Sequence, residues 1–412
     1  QRSSRHCTGH YTVPNRCYSA RSVFYDAPAA TRLRGTLTPN AHQRQRTTGT
    51  MAAARVVPPR RLPAMAWGGS THLRAMALAG RRRLTKGRHR CLFVQAQAGG
   101  GARPPLVVVG SANADLVLSV SRLPLAGETL AASDLQTFPG GKGANQASAA
   151  GRLAYPTLFV GQLGNDANAG ILRDSLGSCG VDCSALSVVD APTGTAVILL
   201  QPSGENSIVI VGGANQAGWA LTEIAKTAIA GAGMVLLQRE IPEAVNIEVA
   251  KIAQAAGVPV VLDVGGQEGE ISPELLARLT VVSPNETELA RITGMPTDTE
   301  AQIGAAAGLL FSKGIETVLV KLGAKGSLLL RGAEVRPPVR QAAVPVDKVL
   351  DTTGAGDCYT AAWAVGCLDG LPAEDAMLFA SAAAAICVQG MGATTSLPSR
   401  PEVDALYASL KA

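Results

Sequence analysis

Asp357 is the carboxylate in this 412-residue sequence best placed to do chemistry, because it directly follows the segment Gly354-Ala355-Gly356. The Ala-rich apolar residues 358–368 come next and predict a buried helix. Backbone N–H groups at the start of such a helix can converge on an anion, and the helix dipole adds positive charge there. An aspartate at that place could take the proton of a substrate hydroxyl while the amides of the turn hold a transferring phosphoryl group. The alternative is that Asp357 caps the helix and the glycines only shape the turn.

A second glycine cluster, Phe138–Gln146, also precedes a helical stretch. Lys142 is not followed by Ser or Thr, so the segment is not a Walker P-loop, and no GxGxxG follows a strand to bind a dinucleotide. The backbone at Gly140 and Gly141 could instead pack against a polar ligand, with hydrogen bonds from Lys142 and Asn145. A purely structural turn is the alternative.

The segment Val281–Glu288 ends a predicted strand and begins a predicted helix. Asn285, Glu286 and Glu288 therefore gather at the strand end where ligands bind in α/β sheets. Carboxylates there could hold Mg²⁺ through water, since magnesium keeps much of its hydration shell. Ordinary acidic residues of a helix N-terminus are the alternative.

Histidine chemistry is excluded from most of the chain, because all five histidines lie before residue 100. The remaining residues cannot build a Ser-His-Asp triad, a Cys-His pair or a His-ligated metal. Their cysteines lack CxxC spacing, which favours free thiols in a reduced compartment, although Cys179 and Cys183 could ligate a metal. These five cysteines are Cys179, Cys183, Cys358, Cys367 and Cys387.

Charge divides the chain into two regions. The first 100 residues hold 18 Lys and Arg with one acid, whereas the other 312 hold 19 Lys and Arg against 30 Asp and Glu, a net of −11. The acidic region argues against nucleic-acid binding, and it has no apolar stretch of the ~18 residues that a membrane span needs. The basic region predicts a transit peptide or disordered leader over residues 1–98 that directs the chain to the chloroplast stroma. A mitochondrial leader, a cytosolic protein and a basic tail that contacts nucleic acid are the alternatives.

A parallel sheet must position these motifs. Leu106–Val109 predicts a short buried strand, and from about residue 220 strands alternate with helical stretches. This rhythm predicts an α/β domain over residues 99–412, whose sheet is covered by helices. The later strands are predicted at Met234–Gln238, Val258–Leu262, Thr280–Val282 and Thr317–Val320.

A small β appendage is predicted from four further strand-like patches. Two of them are separated by the turn Gln201–Asn206, which indicates a hairpin. The patches are Leu116–Leu118, Glu128–Leu130, Thr195–Leu200 and Ser207–Val211.

Five motifs in this order resemble the ribokinase branch of the phosphofructokinase-B carbohydrate kinase family, over about residues 105–400. The resemblance implies a three-layer α/β sandwich with a mostly parallel central sheet flanked by helices. It also implies a small β-sheet lid over the sugar, at about residues 114–138 and 194–212, that commonly forms a homodimer interface. The motifs are Gly110–Asp115, Gly140–Asn145, Pro284–Glu288, Lys321–Gly323 with Gly326, and Asp351–Asp357.

The resemblance further implies transfer of the ATP γ-phosphoryl group to O5 of D-ribose, with Asp357 as base and the amides of Ala355 and Gly356 on the phosphate. The matching sugar ligands are Asn113, Asp115, Gly140, Gly141, Lys142, Asn145 and Glu240. The matching nucleotide ligands are Asn285, Lys321, Gly323 and Gly326, with Glu288 near Mg²⁺. The matching positions for an activating K⁺ are Asp351, Thr353, Cys387, Gly390, Gly392 and Ser396.

Three positions depart from the bacterial pattern of this branch. Lys321 stands where Thr is frequent, Asp263 begins a segment that replaces Asn-Pro-Ala-Pro, and Thr360 stands where Asn is common. The first two departures bear on nucleotide contacts and loop shape, and these two do not touch the sugar ligands. A kinase for fructose, deoxyribose or adenosine is the nearest alternative, and a catalytically inactive structural partner in an organelle is a more distant one.

Overall fold

The structure is a computed structural model that describes residues 103–203, 205–332 and 337–412. The predicted leader, residues 1–98, lies outside the described residues.

The central sheet has nine strands, and the strands that follow helices are parallel. Only Ser327–Arg331 runs against the other strands of this sheet, since it pairs antiparallel with both of its neighbours, Thr317–Lys321 and Val339–Gln341. The spatial order is β13-β12-β11-β10-β9-β8-β1-β4-β5. These strands are β1 Leu106–Val109, β4 Thr157–Leu163, β5 Leu186–Val188, β8 Met234–Arg239, β9 Val260–Gly266, β10 Val281–Ser283, β11 Thr317–Lys321, β12 Ser327–Arg331 and β13 Val339–Gln341.

Two helical layers cover this sheet, and β1 shows why. All four of its residues are buried: Leu106 and Val108 join one apolar cluster, whereas Val107 and Val109 join the other. Alternate residues of a strand point to opposite faces, so a continuous apolar run requires cover on both sides. The first layer contains α1 Lys142–Arg152, α2 Ala167–Ser178, α8 Ala355–Leu368, α9 Ala373–Cys387 and α10 Arg400–Lys411. The second contains α3 Glu223–Ala230, α4 Glu243–Ala255, α5 Pro273–Leu276, α6 Glu286–Thr293 and α7 Glu300–Ser312.

A second sheet of four strands, in the order β3-β2-β6-β7, consists of two antiparallel hairpins joined through parallel pairing of β2 and β6. It leaves the central sheet directly after β1, since only three residues separate the two strands. Its strands are β2 Asn113–Ser119, β3 Asp134–Gly140, β6 Gly194–Leu200 and β7 Asn206–Val211. The predicted fold, a helix-covered parallel sheet with a small β appendage, is confirmed.

Two strand predictions were wrong in detail. Glu128–Leu130 is a loop, because the Glu128 carboxylate turns back to accept hydrogen bonds from Arg122 and from the Leu125 N–H, and the strand begins at Asp134. The strand predicted from Val258 begins at Val260, and it extends through Gly266.

Cys179, Cys183, Cys358 and Cys387 are free thiols. Within residues 103–412, apart from the undescribed positions, no helix has the length and apolar character needed to cross a membrane.

Candidate active site

Asp357 is buried at the start of α8, with 5% of its surface exposed. Its two carboxylate oxygens accept hydrogen bonds from different side chains: Asn145 Nδ2 donates to Oδ2 and Gln146 Nε2 donates to Oδ1, both at 3.0 Å. The helix cap is Gly354, so the alternative that Asp357 merely caps its own helix is wrong. The carboxylate instead joins α8 to α1.

Gln146 and Gln238 extend this network and were missed in the sequence. Gln238 Nε2 donates to Gln146 Oε1 at 2.7 Å, which orients the Gln146 amide so that its NH₂ faces Asp357. An ionised carboxylate can only accept, so this chain of donors matches the charged form of Asp357. The sequence signal for Gln238 was a glutamine directly after the apolar residues Met234–Leu237. Such a strand is expected to be buried, and a buried amide requires hydrogen-bond partners.

The predicted turn before the helix is shorter than expected, because α8 begins at Ala355. Gly354 has φ of 76°, and a Cβ there would lie 2.9 Å from Ala393, so glycine is required on both counts. The Ala355 N–H donates to Thr352 O at 3.2 Å, which draws it away from a ligand. The first-turn amides of Gly356 and Asp357 have no acceptor within the helix, so they are available to an anion.

The start of β2 provides a second group of polar side chains. Asn113 is buried, and its Oδ1 accepts a 2.7 Å hydrogen bond from Asn215, another residue missed in the sequence. Asn215 also pairs with both backbone groups of Ala112, so it fixes the turn between β1 and β2. On the same strand, the Asp115 carboxylate lies against Gly140, where a Cβ would be 2.0 Å from Oδ2. A larger residue at position 140 would have to displace this carboxylate.

Glu240 joins this group from the end of β8. Its Oε2 accepts hydrogen bonds from Ser111 Oγ at 2.6 Å and from the Lys142 N–H at 3.0 Å. Gly141, with φ of 86°, turns the chain from β3 into α1, which begins at Lys142. The carboxylate therefore closes the corner between β1, β8 and α1.

The electrostatics of the group are dominated by facing carboxylates. Burial, then Glu240 and then Asp357, raises the pKa of Asp115 to about 7. Asp357, followed by Asp263 and Glu240, outweighs burial and raises the pKa of the Lys142 ammonium, so Lys142 stays charged. A site with one weakly acidic carboxyl group and a fixed cation suits a ligand with several hydroxyl groups.

The raised pKa of Asp115 predicts a pH dependence of stability. Between about pH 4 and 7 the folded protein holds a proton on Asp115 that the unfolded chain has lost, so this group's contribution declines as pH rises through that window. Asp115→Asn removes the titration. We therefore expect the Tm of the variant minus the Tm of the parent protein to rise as the pH is raised from 5 to 8. A Tm difference that stays constant over this pH range would contradict the raised pKa of Asp115.

A cavity of about 780 Å³ opens beside Asp357, along the carboxyl ends of β9, β10 and β11. Ser381 of α9, missed in the sequence, also contributes to its wall. The predicted nucleotide residues and the start of α8 share this cavity with Lys142 and Asp263. The predicted residues in its wall are Asn285, Glu288, Lys321, Gly323, Gly326, Gly354, Ala355, Gly356 and Asp357.

Glu288 has a structural role at this cavity. Its Oε2 accepts from the Asn285 N–H, and its own N–H donates to Asn285 Oδ1, both at 2.8 Å, which closes a capping box at the start of α6. The alternative reading of this acid as a helix N-terminal residue is therefore right. Glu288 also lies in the wall of the cavity.

The three departures from the bacterial pattern lie in contact with one another. Lys321 Nζ lies 2.6 Å from Asp263 Oδ2 and 3.4 Å from Thr360 Oγ1, and Thr360 donates to the same Asp263 oxygen at 2.9 Å. Burial opposes the charge on Asp263, but the Lys321 and Lys142 ammonium groups hold its pKa below the ordinary value.

The loop of the predicted potassium site is held together by Asp351. Its Oδ1 accepts from the N–H and hydroxyl of Thr353 at 2.8 and 2.7 Å, and its Oδ2 accepts from the Gly392 N–H at 2.9 Å. Burial raises the pKa of Asp351, but these hydrogen bonds outweigh it, so the pKa lies below the ordinary value and the group is ionised at neutral pH.

The other three predicted potassium positions lie on the adjoining segment. Ser396 Oγ donates to Gly392 O at 2.6 Å and lies 3.2 Å from Cys387 Sγ, and Gly390 packs against the Ser396 side chain. The structure thus brings all six predicted positions together in two loops and the adjoining end of α9, next to the start of α8.

A buried carboxylate beside the amide end of a helix, at the carboxyl edge of a parallel sheet and open to a large cavity, defines a phosphotransferase that acts on a small molecule. The pfkB family of carbohydrate kinases matches residues 104–400. The chain belongs to this family and is a sugar kinase.

Individual relatives agree with this assignment. Ribokinase from Arabidopsis thaliana is 51% identical over 305 residues, which cover 73% of this chain and 80% of that protein. Ribokinase from Haemophilus influenzae is 37% identical over 305 residues, which cover 73% and 97%. The solved structure of Arabidopsis thaliana ribokinase complexed with ribose and ATP superposes with a TM-score of 0.72 at 50% identity, covering 74% of this chain and 99% of that one.

Proposed function

We propose that this protein transfers the γ-phosphoryl group of ATP to O5 of D-ribose and releases D-ribose 5-phosphate and ADP. The observation that carries the proposal is the buried Asp357 carboxylate, which lies between a polar cluster and the amide end of α8. Hydrogen-bonding groups in a buried site penalise ligands that leave them unpaired, so a polyhydroxy substrate is favoured. The similarity to a ribokinase solved with ribose and ATP supports these two substrates.

In the proposed reaction Asp357 is the general base. Asn145 and Gln146 hold its two oxygens by hydrogen bonds, so the carboxylate keeps one orientation while it takes the O5 proton. The Gly356 and Asp357 amides at the start of α8 stabilise the charge on the transferring phosphoryl group. We assign sugar binding to the polar cluster, which comprises Asn113, Asp115, Gly140, Gly141, Lys142, Asn145 and Glu240.

The nucleotide occupies the 780 Å³ cavity in this proposal, against Asn285, Lys321, Gly323 and Gly326. Magnesium, when bound, neutralises charge on the triphosphate. Among the described residues no group of three acidic, Cys or His side chains could hold a metal, which fits an ion carried chiefly by phosphate and water. Glu288 would meet its hydration shell, because it lies in the same wall.

We further propose that potassium supports the anion-binding end of α8 from the loops of Asp351, Thr353 and Gly392. The ionised Asp351 carboxylate and the neighbouring carbonyl groups give oxygen ligands of the kind that such a cation takes. Turnover should therefore rise when potassium replaces sodium as the sole monovalent cation. Equal rates in the two salts would contradict this site.

We propose that the four-stranded sheet is both a lid over the sugar and the interface of a homodimer. On strand β7 the apolar residues Ile208, Val209 and Ile210 are 52 to 64% exposed, and on β3 Leu135 is 59% exposed. An exposed apolar sheet is typical of a protein interface, because burial of this surface against a partner is favourable.

Charges on both faces of β7 should prevent this assembly. Ile208 and Val209 are adjacent on the strand and point to opposite faces, so Ile208→Lys/Val209→Lys places one ammonium on each. We expect this variant to elute as a monomer where the parent protein is a dimer, measured by light scattering. The matched control is Ile224→Lys, which changes a side chain of α3 with 55% exposure and should leave the dimer intact. A dimeric double variant would rule out this interface.

We propose that residues 1–98 direct the kinase domain, residues 99–412, to the chloroplast stroma. The proposal is supported by the 18 Lys and Arg against one acid in the first 100 residues. A fluorescent protein fused after residue 100 should colocalise with the stroma. Mitochondrial or cytosolic fluorescence would favour the corresponding alternative.

The sugar specificity profile tests the proposed function. Coupled turnover assays with ribose, deoxyribose, fructose and adenosine should give the highest kcat/KM for ribose. A second acceptor that exceeds ribose would move the assignment to another member of the family, and absence of turnover with all four would favour an inactive structural partner.

A further inference from the structure

Lys321 is predicted to contact the nucleotide, but the proposed reaction gives its ammonium no part in the transfer step. The Lys321 side chain is only 14% exposed, and the side chain of its ion-pair partner Asp263 is 2% exposed. A buried ion pair contributes little net stability, because removing both charges from water costs about as much as their attraction returns. The pair therefore calls for an explanation other than stability.

The position of the ammonium supplies one. Lys321 Nζ lies 3.9 Å from the point where a Cβ would stand on Gly356, in the wall of the nucleotide cavity. It therefore faces the first turn of α8, whose amides bind the transferring phosphoryl group in the proposed function. Thr360, which holds the ammonium from one side, is one turn further along the same helix.

The hydrogen-bond contacts of the Lys321 ammonium leave it able to bind an anion. Asp263 lies between two cations, since a Cβ on Gly265 would stand 2.8 Å from Lys142 Nζ and 3.2 Å from Asp263 Oδ1. Lys142 faces Asp357 and Glu240 as well, and Asp263 Oδ1 accepts a hydrogen bond from the Gly265 N–H, so Asp263 Oδ2 is the carboxylate oxygen that holds Lys321. Asp263 and Thr360 take two of the three N–H donors of the Lys321 ammonium, which leaves the third for an anion in the cavity.

We propose that Lys321 is a catalytic residue that binds the transferring phosphoryl group, with Asp263 and Thr360 as positioning residues that hold its ammonium at the start of α8. This inference rests on the proposed function. As the bond from O5 to the γ-phosphorus forms, the bond from that phosphorus to the β,γ-bridging oxygen breaks. The O5 proton passes to Asp357, ADP leaves with the electron pair of the broken bond, and Lys321 keeps its protons while it balances the phosphoryl charge.

A double-variant design separates this role from a structural ion pair. Lys321→Met leaves Asp263 buried without its partner and should lower both Tm and kcat. Adding Asp263→Asn removes the unpaired charge, so the double variant should recover most of the Tm. Its kcat should stay roughly tenfold or more below that of the parent protein, because the phosphoryl group still lacks its cation.

The matched control is Lys325→Met, which removes an exposed lysine four residues along the chain whose partner is Glu286. Its kcat and Tm should stay close to those of the parent protein. Recovery of both Tm and kcat in the double variant would show that the pair is structural and would overturn the inference.

A binding measurement keeps the test independent of the sugar. Calorimetry with a non-hydrolysable ATP analogue and with ADP compares ligands that differ in the γ-phosphoryl group. We expect the double variant to lose roughly tenfold in affinity for the analogue and less than threefold for ADP. Equal losses for the two nucleotides, or no loss, would overturn the role of Lys321 even if ribose proved to be the wrong acceptor.

Discussion

Asp357→Asn is expected to lower kcat by about 10³-fold or more while the protein stays folded and still binds ATP, because a general base typically contributes 10²- to 10⁴-fold. The substitution removes the one carboxylate that Asn145 and Gln146 jointly orient. Single-turnover measurement at saturating ribose and ATP reports the chemical step directly.

Folding should survive because the surrounding amides can adjust. In the variant, the new NH₂ group would face a donor, but the Gln146 and Gln238 amides can each rotate by 180° and present their oxygens instead. Gln238 Oε1 has no hydrogen-bond partner among the described residues, so the reversed chain loses no bond at that end. The matched control is Asp404→Asn, an exposed aspartate of α10 that should leave kcat unchanged. An Asp357→Asn variant that keeps the parent kcat would exclude this residue as the base.

The meeting of Asn145 with Asp357 illustrates what sequence reasoning can reach. The two residues are 212 positions apart, yet each lies in the first turns of a helix that follows a glycine-rich segment. Both helices lie in the same layer on the central sheet, and the glycine-rich segments before them meet where the two helices begin. Glycines are also informative in a sequence, because a backbone with positive φ or a close backbone contact disfavours other residues.

Site residues were harder to predict when their partners are distant in the sequence and no local motif surrounds them. Asn215 holds Asn113 from 102 residues away, and no local pattern distinguishes it from any other loop asparagine. Lys321, Asp263 and Thr360 were each recognised as unusual, but their mutual contact depends on how β9, β11 and α8 pack. The error at Glu128 has a similar cause, because a side-chain contact with Arg122 outweighed the local strand propensity.

Gly143→Ala is expected to damage the site without changing any functional group. A Cβ on Gly143 would lie 2.7 Å from backbone atoms of Gly110 and Ser111, which cannot move aside as a flexible side chain could. Helix α1 must therefore shift away from the end of β1, and it carries Lys142 and Asn145 with it. Overpacking of this kind costs about 1–3 kcal/mol in the free energy of unfolding. Misplacement of binding groups by about 1 Å can lower kcat/KM by roughly 10²-fold.

Gly170→Ala supplies the matched control, because Gly170 is also a helical glycine and a Cβ there meets nothing within 4 Å. Alanine is favoured over glycine within a helix by about 1 kcal/mol, so this variant should gain stability and keep its kcat/KM. Both substitutions add the same methyl group and the same helix propensity, so the difference between them isolates the contact with Gly110 and Ser111. Urea denaturation and ribose kinetics on the two variants measure that difference. Equal behaviour of the pair would mean that α1 can move without cost, and the close approach of its backbone to the end of β1 would then have no part in positioning Asn145 against Asp357.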